Sequence, residues 1–266
     1  MDTLALFLET IAFRPYVFLF MAAFLFAAIR LIGWPRAWRF WLISWATAFI
    51  CEFSSTRTGI PFGWYHYTGS TVGQELYLSN IPVIDSLSFS FLLYASYCLA
   101  LAFLLPASHS PGHLLLRLQL PLSVRTGWPT LLLTTVFFTF IDIVIDPVAL
   151  RGDRWFLGKF YYYPDPGVHF GVPIANYVGW AVVSLISLTI YLPVDRRFDK
   201  LAAEPAGSAT GAVLLGCGLY YAVLAFNLAV TFWIDEPLLG TTGLLIYFPI
   251  TILLLLRLLG RLPAPS

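Results

Sequence analysis

The 266 residues are 59% hydrophobic and only 11% charged, with a formal net charge of +1. Soluble domains carry about 25% charged residues, so this composition excludes an ordinary water-soluble chain and points to an integral membrane protein. The near-neutral balance holds no basic patch for nucleic acid.

A bilayer core about 30 Å thick is crossed by roughly 20 helical residues. The opening stretch "MDTLALFLETIAFRPY" places Asp2 and Glu9 before its first arginine, opposite to the basic start of a secretory signal, and reads as an interfacial segment. Seven apolar runs follow, at about 15–33, 38–54, 82–105, 128–148, 173–193, 210–233 and 238–258. Pro35, Pro82, Pro106, Pro129, Pro173 and Pro237 sit at or near their ends, as helix boundaries require. The expected fold is therefore all-α, a polytopic membrane protein of about seven transmembrane helices forming one domain over residues 1–266. The polar stretch "EPAGSATG" at 204–211 reads as a loop. Cys51, Cys98 and Cys217 each fall within an apolar run and read as small core residues.

Basic residues divide unequally between the two faces that seven spans create. One face receives Arg30, Arg36, Arg39, Arg117, Arg125, Arg196, Arg197, Lys200, Arg257 and Arg261; the other receives Arg14, Arg57, Arg151, Arg154 and Lys159. The positive-inside rule makes the first face cytoplasmic, which predicts the N-terminus outside and the C-terminus inside the inner membrane. Acidic residues divide the other way, with only Asp195, Asp199 and Glu204 on the cytoplasmic side. Chemistry that uses carboxylates is expected toward the outer face.

Two long outer connections resemble each other. One runs from Glu52 through "GIPFGWYHYTG" to "NIPV", the other from Asp146 through "GDRWFLGKFYYYPDPG" to "GVPIAN". Each begins at an acid, passes through glycines and clustered tyrosines, and re-enters at a proline. They are either a weak internal helix–loop–helix repeat or a convergence on the same interfacial chemistry.

The acids hold the chemical interest. In "FFTFIDIVIDPVAL" (137–150), Asp142 and Asp146 are four residues apart and share one helix face within about 6 Å. Acids inside an apolar span are expensive and mark function by default. Pro147 disfavours helix at Asp146 and leaves the Ile143 carbonyl without its usual donor, so a break that admits water is expected beside the pair. The alternative is a structural pair that binds Arg151 or Arg154 or only fixes helix packing. Glu52 closes the second span and either caps Arg57 or joins a site. Asp85 reads as an acid favoured by a helix N-terminus. Asn176 offers an amide for water or a carboxylic acid, or else a helix-start hydrogen bond. Asp235 and Glu236 are expected to face solvent at a turn. Trp64, Tyr65, Tyr67, Trp155, Tyr161, Tyr162 and Tyr163 suit an interfacial belt, although their concentration in the loops after the acids also suits a cation-stabilising wall.

Several membrane chemistries lack their residues. A retinal protein needs a lysine within a span, but Lys159 and Lys200 fall in loops. Di-iron oxygenases need many clustered histidines; of the four here, His109 and His113 lie in a Pro-Gly loop on the cytoplasmic side, and no metal site is expected. The acid-rich diphosphate–Mg²⁺ motifs of prenyltransferases are poorly matched by "DIVID" alone.

The stretches "EFSSTRTGIPFGWYHYTG", "FIDIVIDPVALRGDRWF" and "YYYPDPGVHFGVPIANYVGW" together resemble the membrane-integral carotenoid biosynthesis family that includes the CruF-type carotenoid 1,2-hydratases, over roughly residues 45 to 185. The matching positions include Glu52, Phe62, Tyr65, Tyr67, Asp142, Asp146, Asn176 and Trp180. The resemblance implies addition of water across the terminal C1=C2 bond of an acyclic carotenoid end, of the lycopene or γ-carotene type, to give a tertiary alcohol. The implied partners are a carotenoid substrate in the membrane and water, with downstream carotenoid-modifying enzymes possible and no cofactor required. Protonating an unactivated alkene needs a neutral carboxylic acid, a form that burial and a neighbouring carboxylate favour. On this reading Asp142, the deeper acid, donates the proton; Asp146 is its partner and water-side base, with Glu52 the rival for either role. Tyr65, Tyr67, Asn176, Trp180, Phe62 and Trp155 form the substrate site. The alternatives are an end-group cyclase, which traps the same kind of cation with an internal double bond, and a non-catalytic carotenoid or lipid carrier.

Overall fold

Proline and glycine set the helix boundaries much as the sequence suggests. The computed structural model describes residues 3–108, 115–199 and 209–262. Helix α1 (Thr3–Phe13) stops before Pro15, which opens α2 (Pro15–Ile32). Gly33, at φ 76°, turns the chain into α3 (Trp34–Thr58). That helix ends on Gly59 in the left-handed region, where the amide caps the Ser55 carbonyl, the usual device for stopping a helix. The first long connection holds β1 (His66–Tyr67), β2 (Tyr77–Leu78) and β3 (Ile81–Pro82) before α4 (Val83–Leu104). Then come β4 (Ala107–Ser108), β5 (Arg117–Leu118), the single turn α5 (Leu122–Arg125) and α6 (Trp128–Ala149). The second long connection contains β6 (Tyr161–Tyr162) and leads to α7 (Ile174–Asp199), α8 (Thr210–Trp233) and α9 (Pro237–Leu258).

Among the described residues, α2, α4, α6, α7, α8 and α9 are long and apolar enough to cross a membrane. The protein is an all-α polytopic membrane protein. The second expected span appears as α3, whose 25 residues exceed the length a bilayer requires. Arg36, Arg39, Glu52 and Arg57 make it less apolar than the six, and it packs in the same bundle against α4 and α7. Helix α4 is the hub, contacting α2, α3, α6 and α8. Its small side chains, among them Ser90, Ala95, Ser96 and Ala100, let neighbours approach closely. At Gly216 of α8 an added Cβ would lie 2.2 Å from the Cys98 sulfur. All three cysteines are buried.

Polar clamps fasten each end. At one end Asp195 of α7 pairs with Arg36 of α3 at 2.9 Å and Arg125 of α5 at 3.3 Å, and Arg257 of α9 donates to the Leu105 carbonyl at 2.6 Å. At the other, the fully buried Arg14 pairs with Glu75 at 3.2 Å and donates to the Leu157 carbonyl at 2.7 Å. His109, His113 and residues 204–208 of the polar loop lie outside the described residues.

The two long connections form one cap. Strand β1 pairs antiparallel with β6, His66 opposite Tyr162 and Tyr67 opposite Tyr161. The Thr68 amide extends the ladder to the Phe160 carbonyl at 2.8 Å. The expected break at Pro147 does not occur. A proline's fixed φ fits a helix, and its cost is a missing donor and a steric contact one turn back. Helix α6 runs on to Ala149, and the His169 ring Nε2 lies 3.3 Å from the Ile143 carbonyl that Pro147 cannot serve.

Candidate active site

Helix α6 presents Asp142 and Asp146 one turn apart on one face, and α7 brings Asn176 between them. The Asn176 amide nitrogen donates to Asp142 Oδ2 at 2.6 Å and to Asp146 Oδ2 at 2.7 Å. The loop adds two phenols: Tyr161 donates to Asp146 Oδ1 and Tyr163 to Asp146 Oδ2, both at 2.9 Å. Both oxygens of Asp146 are thus occupied, whereas Asp142 Oδ1 is buried without a hydrogen-bond partner. The pair is not bound to Arg151 or Arg154. Arg151 and Arg154 turn instead to Glu236, with Arg151 Nε 2.9 Å from Glu236 Oε1 and Arg154 on the same oxygen. Asp235 is exposed at a turn as expected, and Glu236, its side chain 23% exposed, lies there beside the two guanidiniums.

A second carboxylate group stands nearby. Glu52 near the end of α3 is 2% exposed, and its Oε2 has no hydrogen-bond partner. It does not cap Arg57, which donates to Phe53 O at 2.9 Å, to Thr56 Oγ1 and to Ser79 Oγ, with its guanidinium over the Phe53 ring. Asp85 does lie in the first turn of α4, as the dipole argument expects, and it also accepts a 2.5 Å bond from the Tyr67 hydroxyl. Glu52 acts electrostatically on both Tyr65 and Tyr67.

Both groups border one cavity of about 980 Å³, its open mouth included. Its wall carries Glu52, Asp85, Asp146 and Asn176 among largely hydrocarbon and aromatic surface. Of the expected substrate residues, Phe62, Tyr65, Trp155, Asn176 and Trp180 line it. Tyr67 reaches it through Asp85, and Asp142 stands behind Asn176, off the wall. The position of Asp142 follows from helix geometry: one turn below Asp146 it is deeper in the bundle and fully buried. Aromatic rings close the deep side. Phe89 stacks on Trp180 at 4.4 Å between centroids, Phe138 lies 4.6 Å from Trp180, and Phe62 lies 5.9 Å from Phe89. Gly179 permits this arrangement, since a Cβ there would meet the Phe62 ring at 2.2 Å.

The loop phenols are fixed as donors. Burial, then Asp85 and Glu52, pushes the Tyr67 phenol well above its ordinary range; burial, then Asp146, does the same for Tyr161 and Tyr163. The aromatic cluster therefore divides. Trp64 and Tyr162 are exposed and suit a belt, but Tyr65, Tyr161 and Tyr163 are buried in the site. Alternation in a strand accounts for this, because Tyr161 and Tyr163 point inward and Tyr162 outward. Asp85 is the chief residue that the sequence reading left out. A signal existed: Asp85 follows Pro82 by three residues, as Asn176 follows Pro173.

The family described as carotenoid biosynthesis protein matches residues 13–249, which hold every acid and phenol that borders the cavity. The chain belongs to that family. No curated protein and no solved structure shows significant similarity to it. Membership assigns the protein a role in carotenoid biosynthesis, which is consistent with a carotenoid substrate in the membrane. An acid-bearing apolar cavity inside a helical bundle suits a family whose ligands are dissolved in lipid. Among the described residues, no group of three or more His, Cys, Asp or Glu side chains is arranged to hold a metal ion.

Proposed function

We propose that the protein is a carotenoid 1,2-hydratase, adding water across the terminal C1=C2 bond of an acyclic carotenoid end of the lycopene or γ-carotene type. The observation that carries this reading is the shared cavity: three carboxyl groups, Glu52, Asp85 and Asp146, border the same apolar space as the Phe62, Phe89 and Trp180 rings. A carboxylic acid of that wall protonates C2, and the tertiary cation at C1 develops against aromatic faces, each worth about 0.5–2 kcal/mol of cation–π attraction. Asp146, gripped by Asn176, Tyr161 and Tyr163, orients the attacking water and takes its proton, with Asp142 setting the electrostatics behind it. The ten-to-five division of basic residues supports a position of this site toward the non-cytoplasmic face of the inner membrane.

The test is incubation of membranes containing the protein with an acyclic carotenoid in H₂¹⁸O or D₂O, without added redox cofactor. The expected product is heavier by one water per reacted end, with solvent oxygen at C1 and one non-exchangeable solvent hydrogen at C2. An isomer of unchanged mass in ordinary water would mean a cyclase, oxygen drawn from O₂ an oxygenase, and untouched but bound pigment a carrier. Each of these outcomes overturns hydration.

A further inference from the structure

Hydration needs a proton donor with a hydrogen free to leave and a separate base for the water. The two carboxylate groups of the cavity differ in this respect. Asp146 already accepts from Tyr161, Tyr163 and Asn176, so both its oxygens are engaged, and Asp142 does not reach the wall. Glu52 borders the cavity with Oε2 buried and uncommitted, and the cation that might have held it, Arg57, is turned to Ser79 and to its own helix. Asp85 borders the same space with one oxygen fixed by the Tyr67 hydroxyl at 2.5 Å. Tyr65 stands between the groups, its ring centroid 5.5 Å from that of Tyr67, 6.2 Å from Tyr161 and 6.1 Å from Tyr163.

We propose that Glu52 is the acid that protonates the bound alkene, that Asp85 held by Tyr67 is the positioning residue that orients and recharges Glu52, and that the Asp146 group serves the water alone. This assignment rests on the hydration reading above. The Glu52 O–H bond breaks and its electron pair stays on oxygen, while the π pair of C1=C2 forms the new C2–H bond and leaves the cation at C1. A water lone pair closes the C1–O bond, and the water proton passes to the Asp146 carboxylate. One proton leaves Asp146 and one returns to Glu52, so alkene plus water gives alcohol with no net exchange of electrons.

The two roles separate in D₂O. With Asp146→Asn the cation forms but is captured slowly, and it returns a proton from C2 or a C1 methyl to the Glu52 carboxylate. Hydration falls by about 10²-fold or more, yet the recovered alkene carries deuterium. With Glu52→Gln no cation forms, so hydration falls by about 10²–10⁴-fold and the recovered alkene stays unlabelled. Should that variant not accumulate, Glu52→Asp keeps an acid but shortens its reach and slows deuterium uptake by at least about tenfold. Tyr67→Phe and Asp85→Asn lower kcat about tenfold with KM unchanged, roughly one hydrogen bond to a charged group, and Asp85→Glu restores part of the loss. Deuterium entering the alkene in Glu52→Gln as fast as in Asp146→Asn, or Asp85→Asn altering KM alone, would overturn the assignment while leaving hydration standing. Absence of ¹⁸O from the wild-type product would overturn the hydration reading itself.

Discussion

Replacing Asn176 by leucine removes the one side chain that joins the two aspartates. Asn176 is 3% exposed and donates at 2.6 and 2.7 Å to Asp142 and Asp146. Hydrogen bonds to charged groups in soluble proteins contribute about 1.5–3 kcal/mol each. Polar side-chain bonds between helices in a membrane average nearer 0.6 and reach about 1.7. The lower pair of values gives roughly 1–3 kcal/mol for the two bonds. Asp142 then loses the one donor it has while remaining fully buried, which costs about 1–3 kcal/mol more. A loss of about 3 kcal/mol is expected, read as a shift in reversible SDS unfolding followed by the fluorescence of the nine tryptophans. Asp142→Asn combined with Asn176→Leu should lose less than the sum of the single variants by about 1–2 kcal/mol, because the leucine no longer strands a carboxylate. The exchange Asp142→Asn with Asn176→Asp should be more stable than Asn176→Asp alone, since it again leaves two acids and one amide. A change below about 0.5 kcal/mol in Asn176→Leu, or strict additivity in the cycle, would refute the bridge.

Gly179→Ala should cost about 1–3 kcal/mol of overpacking by driving the Phe62 ring from its seat, visible as a lower melting temperature in detergent and weaker pigment retention. Glu236 gives a pH signature: burial opposes its charge, but Arg151 and Arg154 outweigh that and hold its carboxyl below the ordinary range. Its contribution is complete above the unfolded value of about 4.3 and is lost as pH falls through the lower folded value, so the stability gap between wild type and Glu236→Gln should close on acidification. Cysteines introduced at the exposed Ser70 and Asp165 should react with a membrane-impermeant reagent in intact cells, against low background from the three buried native cysteines; reaction only after cell rupture would reverse the proposed orientation.

The spans were legible because length, hydropathy and proline position are local properties. Helix α3 was the hardest to place for a physical reason: the acid that serves the cavity and the arginines at its ends lower its mean hydropathy. The Asp142–Asp146 face was legible from spacing alone, and Asn176 from its neighbourhood. Asp85 does stand in the first turn of α4 as a helix-start acid, and its further bond from Tyr67 was not legible because it joins residues 18 apart across the first loop. The helix through Pro147 was missed for the same reason, since the ring beside Ile143 O comes from His169, across the second loop.

The β1–β6 pairing also bears on how the protein is made. A helical bundle enters the membrane segment by segment, and the segments reach the bilayer in chain order. When α4 has entered, Glu52, Tyr67 and Asp85 already stand together, but the strand that faces Tyr67 and the aspartates beyond it have not yet been synthesised. A nascent chain therefore holds one set of acids with no counterpart, under an unfinished cap. The seam between the two loops can close only once β6 has followed α6, and Asn176 joins the two aspartates only when α7 has been made. A lipid-soluble polyene meeting a half-inserted chain would find hydrocarbon surface to rest on and half of the acids it would later meet.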